Sequence, residues 1–105
     1  MEILGVDIGG SGIKGAIVET DSGTLLTERI RIKTPQPATP EAIAQTLKEL
    51  VATIKWDGPV SCGFPARVIR GTVLTAANID KSWINTPVEK LFSETLGQPV
   101  FVAND

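Results

Sequence analysis

Asp7-Ile8-Gly9-Gly10-Ser11-Gly12-Ile13-Lys14-Gly15 gathers a carboxylate, a run of small residues and an ammonium in one short stretch. Glycine allows backbone N–H groups to face an anion with no Cβ in the way. Asp7 is a hard oxygen ligand suited to Mg²⁺ or its waters. Lys14 adds a point charge for a phosphate. Gly10, Gly12 and Gly15 match G-x-G-x-x-G, but the dinucleotide fingerprint requires a helix after the turn. Ala16-Ile17-Val18 continues as a strand instead, so that pattern is rejected. The phosphate loop ending in G-K-[ST] fails too, because Lys14 stands between Ile13 and Gly15. Two readings stay open: a phosphate-cradling turn between two strands, or a β-hairpin whose glycines merely permit positive φ.

A second set of candidates lies at Asn104-Asp105, directly after the apolar run Val100-Phe101-Val102-Ala103. In open α/β sheets, sites form beyond the carboxyl ends of strands. There Asp105 would take a proton from a hydroxyl while the Asn104 amide holds the substrate in register. The alternative makes Asp105 the N-cap of a following helix. Cys62-Gly63-Phe64-Pro65 also ends a strand, and Gly63 permits close approach to its backbone. Cys62, with no histidine or basic neighbour to activate it, reads as a small buried hydrophobe. In the polar segment 75–83, Asn78 suits a sugar hydroxyl and Trp83 reads as a packing anchor. Arg29, Arg31 and Lys33 read as a solvated face rather than a polyanion contact.

The elements that would position these groups follow from the hydrophobic pattern. Residues 2–8 and 13–19 read as two strands joined by the glycine turn. A third strand spans 26–33, with Leu26, Glu28, Ile30 and Ile32 on one face. Together they form an antiparallel meander. Thr39-Pro40-Glu41 opens a helix with a hydroxyl cap, a proline at the first position and an acid in the first turn. Ile43, Leu47, Leu50, Val51 and Ile54 form its apolar stripe, and Asp57-Gly58-Pro59 ends it. Val60 to Phe64 is a short buried strand, and 68–74 is a tight hairpin around Gly71. Thr86-Pro87-Val88-Glu89 is a capping box for a second helix buried through Val88, Leu91, Phe92 and Leu96 and stopped by Gly97. A last strand covers 100–103. The expected fold is α/β, a mixed five-stranded sheet in the order β-β-β-α-β-α-β, with the later strands parallel.

Composition narrows the function classes. The chain has 105 residues, one domain's worth, and its 42% hydrophobic and 21% charged content is that of a globular chain rather than a disordered one. A net charge of -2 offers no basic excess for nucleic acid or an anionic membrane surface. No apolar run reaches the ~20 residues of a membrane span. The absence of histidine removes Ser-His-Asp and Cys-His machinery, and one cysteine removes an internal disulfide or a cysteine-based zinc site. Proton transfer therefore falls to a carboxylate or a lysine. Met1 leads straight into the first strand with no basic leader, which points to the cytoplasm.

With these residues in place, the stretch Asp7 to Gly15 resembles the first phosphate motif of the ROK family (repressors, open reading frames, kinases). The stretch Thr75-Ala76-Ala77-Asn78-Ile79-Asp80-Lys81-Ser82-Trp83 is similar to that of the members that phosphorylate glucose from polyphosphate. Val102-Ala103-Asn104-Asp105 resembles the family's catalytic strand end. The resemblance spans the chain in one register. It implies a ribonuclease-H-like, actin-like ATPase lobe over residues 1–105, with a second lobe absent from this chain. It implies that Asp105 is the general base on the glucose 6-hydroxyl, that Asn104, Asn78 and the Gly63 backbone hold the sugar, and that Gly9, Gly10, Ser11, Gly12 and Lys14 cradle phosphates. Asp7 would position Mg²⁺. The donor would be polyphosphate, with ATP as the alternative, and the full-length protein would be a homodimer. The family's sugar-responsive repressors fit less well, since nothing here supplies a basic DNA-binding element. An actin-like module without sugar chemistry is the third class.

Overall fold

A computed structural model describes residues 1–65, 68–74 and 81–104. The alternating apolar run at the start becomes β1 (Glu2–Ile8), followed by β2 (Gly12–Glu19), β3 (Thr24–Leu25) and β4 (Ile30–Lys33). Then come α1 (Pro40–Ile54), β5 (Val60–Phe64), the hairpin β6 (Val68–Ile69) and β7 (Thr72–Val73), a 3₁₀ turn at Lys81–Trp83, α2 (Val88–Leu96) and β8 (Val100–Asn104). The main sheet has six strands in the order β3-β2-β1-β5-β8, with β4 also on β2. β1 and β2 are antiparallel, whereas β1, β5 and β8 run parallel.

The expected third strand is split. β3 pairs Val18 with Leu25, and β4 pairs Gly15 with Ile30, so residues 26–29 bulge out opposite only Ala16 and Ile17. Thr27 Oγ1 accepts the Ile17 N–H at 3.0 Å, a side chain standing in for a ladder carbonyl. Leu26, expected inside, is 48% exposed. Ile30 and Ile32 do pack on the core. This split makes the sheet six-stranded rather than five-stranded.

Thr39 caps α1 as its sequence foretells, accepting the Ala42 N–H at 3.3 Å. The helix stops earlier than Asp57-Gly58-Pro59. Lys55 adopts the left-handed conformation (φ 61°) and ends it. The hairpin turns on Arg70 and Gly71, both at positive φ (52° and 77°), the backbone a two-residue connection demands. The capping box does not form: Pro87 is the N-cap of α2 and no side chain bonds there. Thr86 Oγ1 instead donates to the Ser82 carbonyl. Glu89 Oε2 accepts the Val102 N–H at 2.7 Å, and Ser93 Oγ accepts that of Val100 at 3.1 Å. These two acceptors, one helical turn apart, satisfy donors that the outermost strand would otherwise leave open.

Both helices cover one face of the sheet. Leu4, Val6, Ile8, Ile13, Val60, Phe64, Val100 and Val102 form one cluster with Ile43, Leu47 and Leu50 of α1 and Val88 and Phe92 of α2. Successive crossovers of one hand, stepping in one direction from β1 to β5 to β8, lay their helices on the same side. The other face carries small residues and a groove of about 430 Å³, lined in part by Gly5, Asp7, Lys14, Ala16, Ser61 and Gly63.

Cys62 sits in this core, 2% exposed, and burial pushes its thiol from 9.0 up to about 12. It is the inert hydrophobe the sequence suggests. A thiol whose folded pKa lies above its unfolded one contributes stability fully present below the unfolded value. That contribution is lost as pH climbs from 9 towards 12. Denaturant titrations should show the chain losing up to about 4 kcal/mol across that window relative to the Cys62→Ala variant.

Candidate phosphate and sugar site

Parallel pairing brings the chemistry-bearing residues to one edge. Register places Asp7 opposite Lys14 on one side and Gly63 on the other, with Ala103 opposite Gly63. The glycine turn therefore leaves β1 at the same edge where β5 ends at Phe64 and β8 at Asn104. Two strand spacings, ~10 Å, separate the rows of β1 and β8.

Asp7 and Lys14 are exposed, share the uncovered face with Gly63 and line its groove. Neither makes an ion pair with any described residue, so both charges are available to a ligand. Asn104 follows the parity of Val100 and Val102, towards the helix side, and its Nδ2 donates to the Phe64 carbonyl at 3.4 Å. It thus ties the ends of β5 and β8 together. Asn78 and Asp105 lie outside the described residues. The far end of the segment bearing Asn78 is anchored by Trp83, which is fully buried. Its Nε1 donates to the Ala38 carbonyl at 2.6 Å, and its ring packs against Phe64 and Phe92 at centroid distances of 4.7 and 6.0 Å. The anchoring role expected of Trp83 is what the structure has.

The turn itself is closed by the Gly9 N–H donating to the Gly12 carbonyl at 3.0 Å. Its other carbonyls are occupied from β4 and the residues after it. Thr34 Oγ1 donates to Gly9 O at 2.6 Å, Gln36 Nε2 to Gly10 O at 3.4 Å, and Arg31 Nη2 to Ser11 O at 2.9 Å. The N–H groups of Gly10 and Ser11 carry no bond to any described residue. A turn with engaged acceptors and unpaired donors is electrostatically suited to an anion.

Arg31, Thr34 and Gln36 escaped the sequence reading. The sequence pattern puts Arg31 on a solvated face, and it is exposed, but its guanidinium lies over Gly12: a Cβ there would stand 2.5 Å from Arg31 Nε. Thr34 did leave a signal. Strand alternation puts it on the face of Ile30 and Ile32, where a hydroxyl needs a partner. Among the described residues no group of three or more His, Cys, Asp or Glu could hold a metal. Asp7 is one exposed carboxylate at this edge, and Mg²⁺ in general takes one or two carboxylates and completes its shell with phosphates and water. No described helix is long and apolar enough to cross a membrane.

A mixed sheet of this order, with a glycine turn after β1 and polar strand ends at the same edge, is the actin-like sugar-kinase type of α/β lobe. The ROK family model matches residues 3–105, and the chain belongs to the ROK family. It is 50% identical over 103 residues to the polyphosphate glucokinase of Mycobacterium tuberculosis, a match covering 97% of this chain and 39% of that protein. It is 32% identical over 108 residues to the glucokinase of Streptomyces coelicolor, covering 97% of this chain and 32% of that one. Among solved structures, the inorganic polyphosphate/ATP-glucomannokinase of Arthrobacter sp. strain KM superposes with a TM-score of 0.95 at 46% identity. That match covers 99% of this chain and 44% of the other. The ROK glucokinase of Streptomyces griseus, solved with glucose and AMPPNP, gives 0.84 at 33% identity, covering 99% and 33%. The chain thus spans under half the length of each of these relatives.

The glycines of the turn are not equivalent. A Cβ on Gly9 would stand 2.9 Å from the Gly12 carbonyl oxygen, one on Gly12 would meet only the far end of Arg31, and one on Gly10 would meet nothing within 4 Å. Thermal melts should show Gly9→Ala costing about 1–3 kcal/mol. Gly12→Ala and Gly10→Ala should stay within about 0.5–1 kcal/mol of wild type.

Proposed function

We propose that the chain is the N-terminal lobe of a cytoplasmic, polyphosphate-dependent glucokinase that transfers the donor's terminal phosphoryl group to the 6-hydroxyl of glucose. The observation that carries this reading is the glycine turn, with its carbonyls engaged and its Gly10 and Ser11 amides bonded to no described residue, at the same sheet edge as Asn104. Half-identity to a protein named for that activity supports the donor and the sugar. The proposal extends to a homodimer of the full-length protein, as the resemblance implies.

In this mechanism Gly9, Gly10, Ser11 and Gly12 present the turn to the terminal phosphates, and Lys14 offsets their charge. Asn104, Asn78 and the Gly63 backbone hold the sugar hydroxyls. Asp105 accepts the proton of the 6-hydroxyl as that oxygen bonds to phosphorus. The bond from phosphorus to the bridging oxygen breaks, and polyphosphate leaves one unit shorter. Asp7 would hold Mg²⁺, which when bound neutralises charge on the transferring phosphates. Catalysis is then mostly positioning and charge neutralisation.

The test is glucose 6-phosphate formation by the full-length protein, with polyphosphate and ATP supplied separately. Turnover with polyphosphate is expected. Turnover with ATP alone would replace the proposed donor. Asp105→Asn should lower kcat by ~10²–10⁴. A loss of only a few-fold would remove Asp105 as the base.

A further inference from the structure

Thr34 is one of two buried polar residues among those described, at 3% exposure. It follows β4 directly and stands across from Ser11, whose carbonyl accepts the Thr34 N–H at 3.4 Å. Its hydroxyl donates to Gly9 O at 2.6 Å, a short O–H···O bond at the point where β1 gives way to the turn. The other buried threonine among the described residues, Thr46, bonds to the Ala42 carbonyl of its own helix. Thr34 differs in that it joins segments 25 residues apart in sequence.

We infer that Thr34 is a positioning residue for the phosphoryl donor, acting through the glycine turn. A peptide unit has two polar ends, and fixing the carbonyl fixes the direction of the next N–H. Thr34 on Gly9 O orients the N–H of Gly10. Gln36 on Gly10 O does the same for the N–H of Ser11 from a more exposed and longer bond. Neither amide is bonded to any described residue. Thr34 has the stronger grip because it is buried, where a hydrogen bond does not compete with water and an orphaned acceptor is costly. Arg31, the third partner, reaches Ser11 O from the exposed side, so its loss can be made good by solvent. The Thr34 hydroxyl is thus the buried side-chain hold on the β1 end of the turn, beside the Gly9 N–H to Gly12 carbonyl bond that closes it. This inference rests on the reading of the turn as the donor cradle.

The test uses the full-length protein, with steady-state kinetics in polyphosphate and in glucose. Thr34→Val keeps the shape and the β-branch and removes only the hydroxyl. It should raise KM for polyphosphate about tenfold while KM for glucose stays within twofold. Thr34→Ser restores a hydroxyl and should return the donor KM to within about threefold of wild type. A merely structural role would move both KM values together and would not be rescued by serine. Gly10→Asp supplies the control: its side chain has open space, and its carboxylate would repel an anion held by the turn. If Gly10→Asp raises the donor KM and Thr34→Val leaves it within twofold of wild type, the role of Thr34 is overturned and the cradle stands. If neither variant moves it, the cradle reading fails and the role of Thr34 fails with it.

Discussion

Everything at the candidate site depends on β1, β5 and β8 running parallel in adjacent positions. An antiparallel neighbour would send the end of β5 or β8 to the opposite edge of the sheet, ~15–20 Å from the glycine turn for strands of this length. Parallel neighbours require crossovers, and the crossovers are what α1 and α2 provide. The helices are in turn held by the buried stripe of Ile43, Leu47 and Leu50 and by Val88 and Phe92. The apolar core thus serves chiefly to align three strand ends, and the polar residues occupy the edge that this alignment creates.

The antiparallel half of the sheet has a different task. β2 begins at the turn and β4 ends beside it, so the two flank it rather than contribute a parallel strand end to the site. The exit of β4 supplies its carbonyl partners at close to the level where β2 begins, because Gly12 pairs with Lys33 and Thr34 comes next. A loop built mainly from glycine has little stiffness of its own. Here stiffness is imported from a strand whose own position is set by Ile30 and Ile32 on the core. The charged side chains of Asp7 and Lys14 remain on the uncovered face, clear of that scaffold.

How much of this could be read from the sequence varied with the range of the interaction. β1, β5, α1 and the hairpin around Gly71 rest on periodicity and local turn chemistry, and they formed with close to the expected limits. The third strand misled because its alternation is real at Ile30 and Ile32 while the bulge before them is set by pairing with β2, which periodicity does not encode. Thr86 and Glu89 have capping-box spacing, yet Glu89 is drawn to a strand donor 13 residues on, and tertiary demand overrides the local motif. The glycine turn, Asp7, Lys14 and Asn104 were legible as candidates because their types and spacing are chemical signals. The partners of the turn were not: Arg31, Thr34 and Gln36 lie 20 to 26 residues from the carbonyls they serve, and only the sheet brings them close.

The edge of β8 has a consequence for how this molecule meets copies of itself. An open border strand is a template: another chain can add to it, and sheets can grow without limit across such borders. Here Val100 and Val102 have already given their outward N–H groups to Ser93 and Glu89 of the molecule's own helix. An incoming strand would find those donors spent and α2 side chains in its path. Even with Phe101 56% exposed, the same helix that positions the strand thus withholds these two donors from sheet-to-sheet growth on this flank.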